Sequence, residues 1–327
     1  MKKKYLYGFL FTLITTIVVF ILVSGINGFI KNINSFFGYN YIYFIISIII
    51  MIIKWLIESL IIKVLLKEIS YKSAINFTLI GQFYSYLTPF YTGGQPFQII
   101  YLSKYGIDPG EATAVILFKT FIFQINMAFL GAVGIFYSLF NYNKSITIGI
   151  ILGTFMNSLA IFLILFYVIN ENAAINTTMY FIRILKKIGV LKEPEKYTNE
   201  IILKIEKFIE IFKKESKKII KILILFILSF LQFSTSFLVL PFVMKGFGLN
   251  MNLNIIIRSL ITQITSSIVP TPGTSGGAEG IFYLLFSNII PSEKIGAAII
   301  LWRFSIYYFV LLVGGIVVLY NHKRKKV

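Results

Sequence analysis

The amino-acid sequence has no cysteine, and its single histidine, His322, lies in a basic tail. Without a thiol, the chain has no disulfide framework, no thiolate metal site and no cysteine nucleophile. A lone histidine also excludes a zinc site built from several histidines, and its place in the tail argues against a Ser-His catalytic triad. From the sequence we therefore expect no catalytic residue of these classes, no metal and no cofactor.

Charged residues are scarce as well. They form 13% of the 327 residues, whereas a soluble domain carries about 25%. Hydrophobic residues make up 57% of the chain, and crossing a bilayer takes about 20 apolar residues in a row. The sequence predicts an all-α polytopic membrane protein with about six full spans, at residues 5–24, 41–62, 115–140, 146–169, 219–243 and 295–320.

The net charge of +18 arises mainly from cations at the ends of these runs, where they report topology rather than nucleic-acid binding. The N-terminus, residues 63–104, residues 170–221 and the C-terminal tail hold 23 of the 31 lysine and arginine residues. The segments at the other ends of the spans hold four lysine or arginine residues. This asymmetry predicts a multi-pass protein of the cell membrane with both termini in the cytoplasm.

Residues 170–218 form the only sizeable segment that we expect to face water. Two interpretations are open: a solvated helical hairpin that connects two halves of the chain, which we favour, and a helix that lies on anionic lipid headgroups. Both interpretations rest on an amphipathic helix pattern, with an apolar stripe on one face and lysine and glutamate on the opposite face. The stripe consists of Ile201, Ile205, Phe208 and Phe212.

Two further apolar segments, residues 74–103 and 254–290, are interrupted in the middle. The first break reads TPFYTGGQP from Thr88, and the second reads TPGTSGGAE from Thr271. The arms on either side are about ten to seventeen residues long, too short for a full crossing. Non-helical backbone at membrane depth is tolerated only where protein or a wet cavity satisfies it. Both segments are therefore predicted to be re-entrant broken-helix hairpins.

The two breaks match each other as Thr-Pro-x-x-(Thr/Ser)-Gly-Gly, 183 residues apart, and each precedes a span with one cation near its start, Lys119 or Arg303. We interpret this as an internal repeat of about residues 41–140 and 219–320, with extra spans at 5–24 and 146–169. The charge asymmetry gives the repeats opposite orientations. Inverted repeats with paired broken helices are typical of secondary transporters, whose sites lie near the bilayer midplane.

The breaks carry groups that suit an anion such as a phosphate. Glycines leave backbone N–H groups open, and a helix that begins at the turn directs its positive end into a cavity. A charge inside a membrane segment costs at least about 2.5 kcal/mol, so an intramembrane cation is a functional candidate. The predicted substrate-binding residues are Thr88, Pro89, Thr92, Gly93, Gly94, Gln95, Lys119, Thr271, Pro272, Ser275, Gly276, Gly277, Glu279 and Arg303.

Structural interpretations of the charged residues stay open beside this one. Lys119 would then extend toward the cytoplasmic interface, and Arg303 would pair with Glu279 only to hold the fold together. Lys54 and Glu58 stand four residues apart on one helix face, and we expect them to neutralise each other.

The segments LTPFYTGGQP and VPTPGTSGGAE, with Lys119 and Arg303 downstream, resemble the lysylphosphatidylglycerol synthase transmembrane-region family over nearly the whole chain. This is the flippase-like membrane domain of multiple peptide resistance factors, which also occurs as a stand-alone protein. The family's usual acidic residue after the first Gly-Gly is Gln95 here, and its usual downstream arginine is Lys119.

The resemblance implies a lipid translocase that moves an anionic or aminoacylated phospholipid such as lysyl-phosphatidylglycerol, or a polyprenyl-phosphate lipid, between leaflets. Its implied partners are membrane lipids with anionic headgroups and, as a further candidate, a separate lipid synthase. No nucleic acid is expected, and the oligomeric state stays open. No synthase domain is evident, so we lean against an enzyme. The alternatives are a phosphatidylglycerol lysyltransferase or other lipid-modifying membrane transferase, and a lipid-holding partner of a separate synthase.

Overall fold

The computed structural model describes residues 31–187 and 198–324, together with Ile14 and Val18. Across these ranges the ordered elements are helices, and no β-strand is present. Five helices in this part of the chain are long and apolar enough to cross a membrane. The predicted all-α polytopic membrane fold is therefore confirmed. The predicted span at residues 5–24 lies outside the described residues, apart from the two single positions.

The described part of the chain is built from twelve α-helices. They are α1 (Tyr41–Leu65), α2 (Tyr71–Tyr86), α3 (Gly94–Lys104), α4 (Pro109–Asn141), α5 (Lys144–Ile169), α6 (Glu171–Lys187), α7 (Thr198–Ser216), α8 (Ile219–Gly246), α9 (Leu253–Ser266), α10 (Gly277–Phe286), α11 (Ser292–Arg303) and α12 (Phe309–Arg324). A π-helical segment, Phe304–Tyr308, joins α11 to α12. The candidate spans are α1, α4, α5, α8 and the stretch Ser292–His322.

Helices α1 and α8 pack against each other along their length. Just before α1, the Asn40 N–H donates to the Gly246 carbonyl at the end of α8, at 3.0 Å. Farther along α1, Gln232 Nε2 of α8 donates to Glu58 Oε2 at 3.2 Å. Because the start of α1 meets the end of α8, the two helices are antiparallel. This packing is consistent with two inverted halves, an assignment that stays a prediction.

Both predicted breaks interrupt helices in the structure. In the first, a short 3₁₀ turn (Pro89–Tyr91) separates α2 from α3; in the second, Pro272–Thr274 separates α9 from α10. The arms are 16 and 11 residues long at the first break and 14 and 10 at the second. Each arm is thus shorter than the roughly 20 residues of a full crossing. The re-entrant course of the two hairpins stays a prediction.

The two breaks begin with nearly the same backbone conformation and then diverge, because Gly93 is right-handed (φ −76°, ψ −18°) where Gly276 has a positive φ (86°). Thr88 (φ −115°, ψ 148°) matches Thr271 (φ −116°, ψ 154°), and Phe90 (φ 55°, ψ 17°) matches Gly273 (φ 58°, ψ 19°). The left-handed region costs a non-glycine residue about 1–3 kcal/mol, so Phe90 is strained. Gly273 is required for a second reason, because a Cβ there would lie 2.0 Å from Cε2 of Tyr307.

Helix α7 packs its apolar stripe against protein. Phe208 and Phe212 are buried, and the ring centroids of Phe212 and Phe118 of α4 lie 4.9 Å apart. At the start of α4, Lys207 Nζ lies 3.3 Å from Asp108 Oδ1. Because α4 and its neighbours cover these rings, α7 does not offer that stripe to lipid headgroups. Helices α6 and α7 instead form a docked connector between α5 and α8.

A glycine on α12 allows this helix to approach α2 closely. A Cβ at Gly314 would lie 2.8 Å from Cβ of Phe83 and 3.0 Å from the Leu79 carbonyl oxygen. We expect Gly314→Ala to lower the free energy of unfolding by about 1–3 kcal/mol, because the added methyl overpacks the crossing. Thermal unfolding of the purified protein in detergent measures the change.

Gly149→Ala is the matched control, because a Cβ there meets nothing within 4 Å. This variant should unfold at the wild-type temperature or slightly above it, since alanine favours a helix over glycine. An unchanged unfolding temperature for Gly314→Ala would contradict the close crossing.

Candidate functional site

A cavity of about 190 Å³ lies among the spanning helices, beside the first break. Lys54 of α1, Asn157 of α5 and Gln232 of α8 line it. Each is the fourteenth residue of its helix, and these helices have 25, 26 and 28 residues respectively. Because all three residues lie near the middle of candidate spans, the cavity is at mid-height of these helices.

Glu58 is the centre of a polar network on the cavity wall. Its carboxylate accepts from Lys119 Nζ at 2.6 Å, Gln82 Nε2 at 2.6 Å, Gln232 Nε2 at 3.2 Å and Gln98 Nε2 at 3.4 Å. Gln98 Oε1 also accepts from Lys119, at 2.9 Å. A carboxylate has about four lone-pair sites, so the acceptor capacity of Glu58 is filled by protein donors.

Lys54, one turn before Glu58, is left outside this network. It is 7% exposed, and neither a hydrogen bond nor an ion pair joins it to another described residue. Lys119 is the direct partner of Glu58, and Lys54 keeps a longer-range electrostatic attraction to the same carboxylate, so the expected neutralisation of Lys54 by Glu58 stays a prediction. Lys119 accordingly does not extend to the interface. Among the described lining residues, Lys54, Lys119 and Glu58 give the cavity a formal net charge of +1.

Three of the predicted site residues line the cavity. Gly94 and Gln95 form the start of α3, and Lys119 lies opposite on α4. A helix N-terminus presents unpaired backbone N–H groups and a partial positive charge. The first break therefore directs a positive helix end at the same space as the two lysines.

The other predicted residues of the first break shape the turn. Thr88 Oγ1 accepts from the Gly93 N–H at 2.7 Å. Thr92 is exposed, and its hydroxyl donates to the Pro89 carbonyl at 3.0 Å. These bonds satisfy backbone groups where the helix stops, and neither Thr88 nor Thr92 belongs to the cavity lining.

The second break is filled by its own side chains. Arg303 and Glu279 are both 0% exposed, with Arg303 Nε 2.9 Å from Glu279 Oε1. Arg303 Nη2 donates to the Gly273 carbonyl and to Ser275 Oγ, each at 2.8 Å. The guanidinium also lies 4.8 Å from the ring centroid of Tyr307. Arg303 thus ties the break to the following span in a closed cluster.

The remaining predicted residues of the second break complete this cluster. The Thr271 hydroxyl donates to the Ser275 carbonyl at 2.8 Å, and the Gly276 N–H donates to Glu279 Oε2 at 2.8 Å. Pro272 begins the 3₁₀ turn, and Gly277 begins α10. No residue from 271 to 279 belongs to the lining of the described cavity. The structure therefore separates the predicted residues into a cavity group and a closed group.

A hydrogen bond joins the two breaks. Tyr91 Oη and Thr274 Oγ1 lie 3.1 Å apart, and these residues occupy equivalent positions in the repeated motif. Tyr91 also lines the cavity. The second break consequently supports the cavity wall through Thr274 without entering the cavity itself.

Eight charged or amide residues of the cavity lining are absent from the set predicted from sequence. Such groups are rare within membrane segments and functional by default. That signal was present in the sequence, but i,i+4 pairing was the interpretation given to two of them, Lys54 and Glu58. The eight residues are Lys54, Glu58, Gln82, Gln98, Gln124, Asn157, Gln232 and Gln263.

These features define an all-α membrane protein with two matched helix breaks and a polar cavity at mid-depth. The chain belongs to the lysylphosphatidylglycerol synthase transmembrane-region family, whose model matches residues 6–314. The resemblance carried by the two breaks is thereby confirmed. A UPF0104 membrane protein of Archaeoglobus fulgidus is 25% identical over 295 residues, which cover 88% of this chain and 89% of that protein. No solved structure matches the chain significantly.

The absence of cysteine makes the difference between the two breaks directly measurable. We expect Gln95→Cys to react with a membrane-impermeant thiosulfonate, because Gln95 is half-buried and lines the cavity. Ser275→Cys should stay unmodified in the folded protein, because Ser275 is buried against Arg303. Mass spectrometry of the intact protein counts the adducts. Equal labelling of both variants would contradict a closed second break.

The buried Glu58–Lys119 pair makes a stability prediction. Lys119→Met leaves a buried carboxylate without its cation, and we expect a loss of about 3–5 kcal/mol in the free energy of unfolding. Adding Glu58→Gln to this variant should restore part of that loss, because the double variant no longer buries a carboxylate that has lost its direct cation. Thermal unfolding in detergent compares the three proteins. Strictly additive losses would mean that the pair is not coupled.

Proposed function

We propose that the protein is a lipid translocase that binds a phospholipid headgroup in the mid-depth cavity and moves it between the two leaflets. The candidate cargo is an anionic or aminoacylated phospholipid, such as lysyl-phosphatidylglycerol, or a polyprenyl-phosphate lipid. The observation that carries the proposal is a polar cavity with one net positive charge at the middle of the spans.

The composition of the cavity wall supports this proposal. A headgroup that crosses a bilayer loses its water, and each unsatisfied polar group then costs several kcal/mol. Lys54, Gln95, Gln124 and Asn157 place charged and amide groups around the same space at that depth. Such a wall replaces hydration for a headgroup, while the acyl chains stay among the surrounding helices.

The unequal closure of the two breaks also supports a transport role. Secondary transporters with paired broken helices expose one site to either side in turn. Here the first break borders the cavity, whereas Arg303 and Glu279 close the second. We interpret this as one of two alternating arrangements. We place the protein in the cell membrane with both termini cytoplasmic, as the charge asymmetry predicts.

The test is lipid exchange in proteoliposomes. Fluorescent phosphatidylglycerol, lysyl-phosphatidylglycerol and a polyprenyl phosphate are incorporated, and a reductant in the outer solution reports the fraction in each leaflet. We expect the wild-type protein to speed the exchange of at least one of the three. Gln95→Trp should abolish this exchange, because the indole fills the cavity.

Thr92→Trp is the matched control, since Thr92 lies in the same break but is exposed and outside the lining. Exchange by this variant should match the wild type. Stoichiometric lipid binding without exchange by the wild-type protein would overturn the translocase proposal and favour a lipid-holding role.

A further inference from the structure

Lys54 is a cation at the middle of a spanning helix, and among the described residues it makes no direct hydrogen bond or salt bridge; its attraction to Glu58 acts at longer range, and Lys119 holds that carboxylate directly. It is 7% exposed, and it lines the cavity. Burial of a charge is costly unless the charge is paired, and charged side chains within spans mark ligand pathways. An anion in the cavity would supply the direct partner that Lys54 lacks.

The start of α3 is a second, independent feature of the same wall. Gly94 and Gln95 line the cavity at the first turn of this 11-residue helix. Backbone N–H groups at a helix N-terminus bind phosphate and other anions. Lys54 and α3 therefore approach the cavity from different elements with the same preference for negative charge.

The cavity offers no free carboxylate for a cationic group. Glu58 is the one acidic residue among the described lining residues, and Lys119 together with three glutamines already fills its acceptor sites. A lysyl ester adds two ammonium groups to the single negative charge of a phosphodiester. Such a headgroup would bring net positive charge into a cavity that is already positive.

Two amide oxygens near the cavity lack donors. Gln124 Oε1 and Gln232 Oε1 are buried and accept no hydrogen bond, and both residues belong to the lining. The orientation of Gln232 follows from its Nε2 bond to Glu58. A buried acceptor without a donor loses about 1–3 kcal/mol relative to a bonded one. Hydroxyl groups on a ligand are suitable donors for these two oxygens.

We propose that the cavity binds a phosphodiester monoanion whose headgroup carries hydroxyl groups, such as glycerol or a sugar, and discriminates against headgroups with added ammonium groups. Lys54 and the first N–H groups of α3 hold the phosphate, and Gln124 and Gln232 accept from the hydroxyls. The lipid nature of this ligand rests on the proposed function. The headgroup chemistry rests on the cavity alone.

The wild-type protein provides the first test, which needs no variant to fold. Native mass spectrometry of the purified full chain measures binding of short-chain phosphatidylglycerol, lysyl-phosphatidylglycerol and phosphatidylethanolamine. We expect phosphatidylglycerol to bind at least about tenfold more tightly than the two amine-bearing lipids. Equal or tighter binding of either amine-bearing lipid would overturn the inference.

A deacylated probe, glycerophosphoglycerol, separates the two sources of the same chemistry. Binding as tight as that of the short-chain lipid would support the phosphodiester site and assign it to a soluble ligand. Binding at least about tenfold weaker would support the site and assign it to a lipid, because the acyl chains then add apolar contact.

Variants of α1 provide the second test. Lys54→Met should weaken phosphatidylglycerol binding about ten- to hundredfold, whereas Lys54→Arg, which keeps the charge, should stay within about threefold of wild type. Lys63→Met is the matched control, because Lys63 lies on the same helix outside the lining. Unchanged binding by Lys54→Met would overturn the role of this lysine.

Running the lipid-exchange assay beside the binding assay distinguishes a failure of this headgroup inference from a failure of the translocase proposal. Lys54-dependent binding of phosphatidylglycerol without exchange would end the translocase proposal and leave the anion site standing. Exchange of phosphatidylglycerol that persists in Lys54→Met would leave the translocase standing and end the assignment of its cargo site to Lys54.

Discussion

Backbone N–H and C=O groups that leave a helix inside a membrane need partners from the protein itself or from trapped water. Both breaks of this chain meet that constraint, but in different ways. At the second break, Arg303 donates to the Gly273 carbonyl and Glu279 accepts from the Gly276 N–H. At the first break, Thr88 accepts from Gly93, and the start of α3 faces a polar cavity. The cavity therefore exists because one break is not filled by its own side chains.

The position of one carboxylate explains this difference between two otherwise similar breaks. Glu279 follows the second Gly-Gly, within reach of Arg303, whereas Pro96 occupies the equivalent position in the first break. Proline offers no acceptor side chain, so Lys119 takes its carboxylate from Glu58 on α1. The charge pair then lies on the cavity wall instead of inside the turn. Space beside α3 stays open as a result.

Much of the architecture could be predicted because its causes are local. Apolar runs predicted the spans, and Pro-Gly clusters predicted where the helices at Thr88 and Thr271 stop. The charge pairing could not be predicted in the same way. The i,i+4 spacing of Lys54 and Glu58 is a valid local rule, but it does not reveal that Lys119, 61 positions away in the sequence, is the residue that bonds Glu58 directly.

The choice of which polar residues line the cavity shows the same limit of prediction from sequence. Thr271 and Ser275 carry the same kinds of hydroxyl as the first break, yet packing turns them toward each other and toward Arg303. Likewise, the stripe on α7 is amphipathic whether its partner is lipid or protein, and only the fold places Phe118 against Phe212. Sequence patterns identified candidate polar groups, whereas long-range contacts decided which of them face open space.

The single net charge of the cavity also has an electrical consequence. Moving one elementary charge through 100 mV of membrane potential is worth about 2.3 kcal/mol. A cavity with one net positive charge becomes neutral when a monoanion fills it, so the potential does little work on the filled form. The empty form keeps its charge. In a carrier of this kind, the voltage would govern the return of the empty site more than the passage of the cargo.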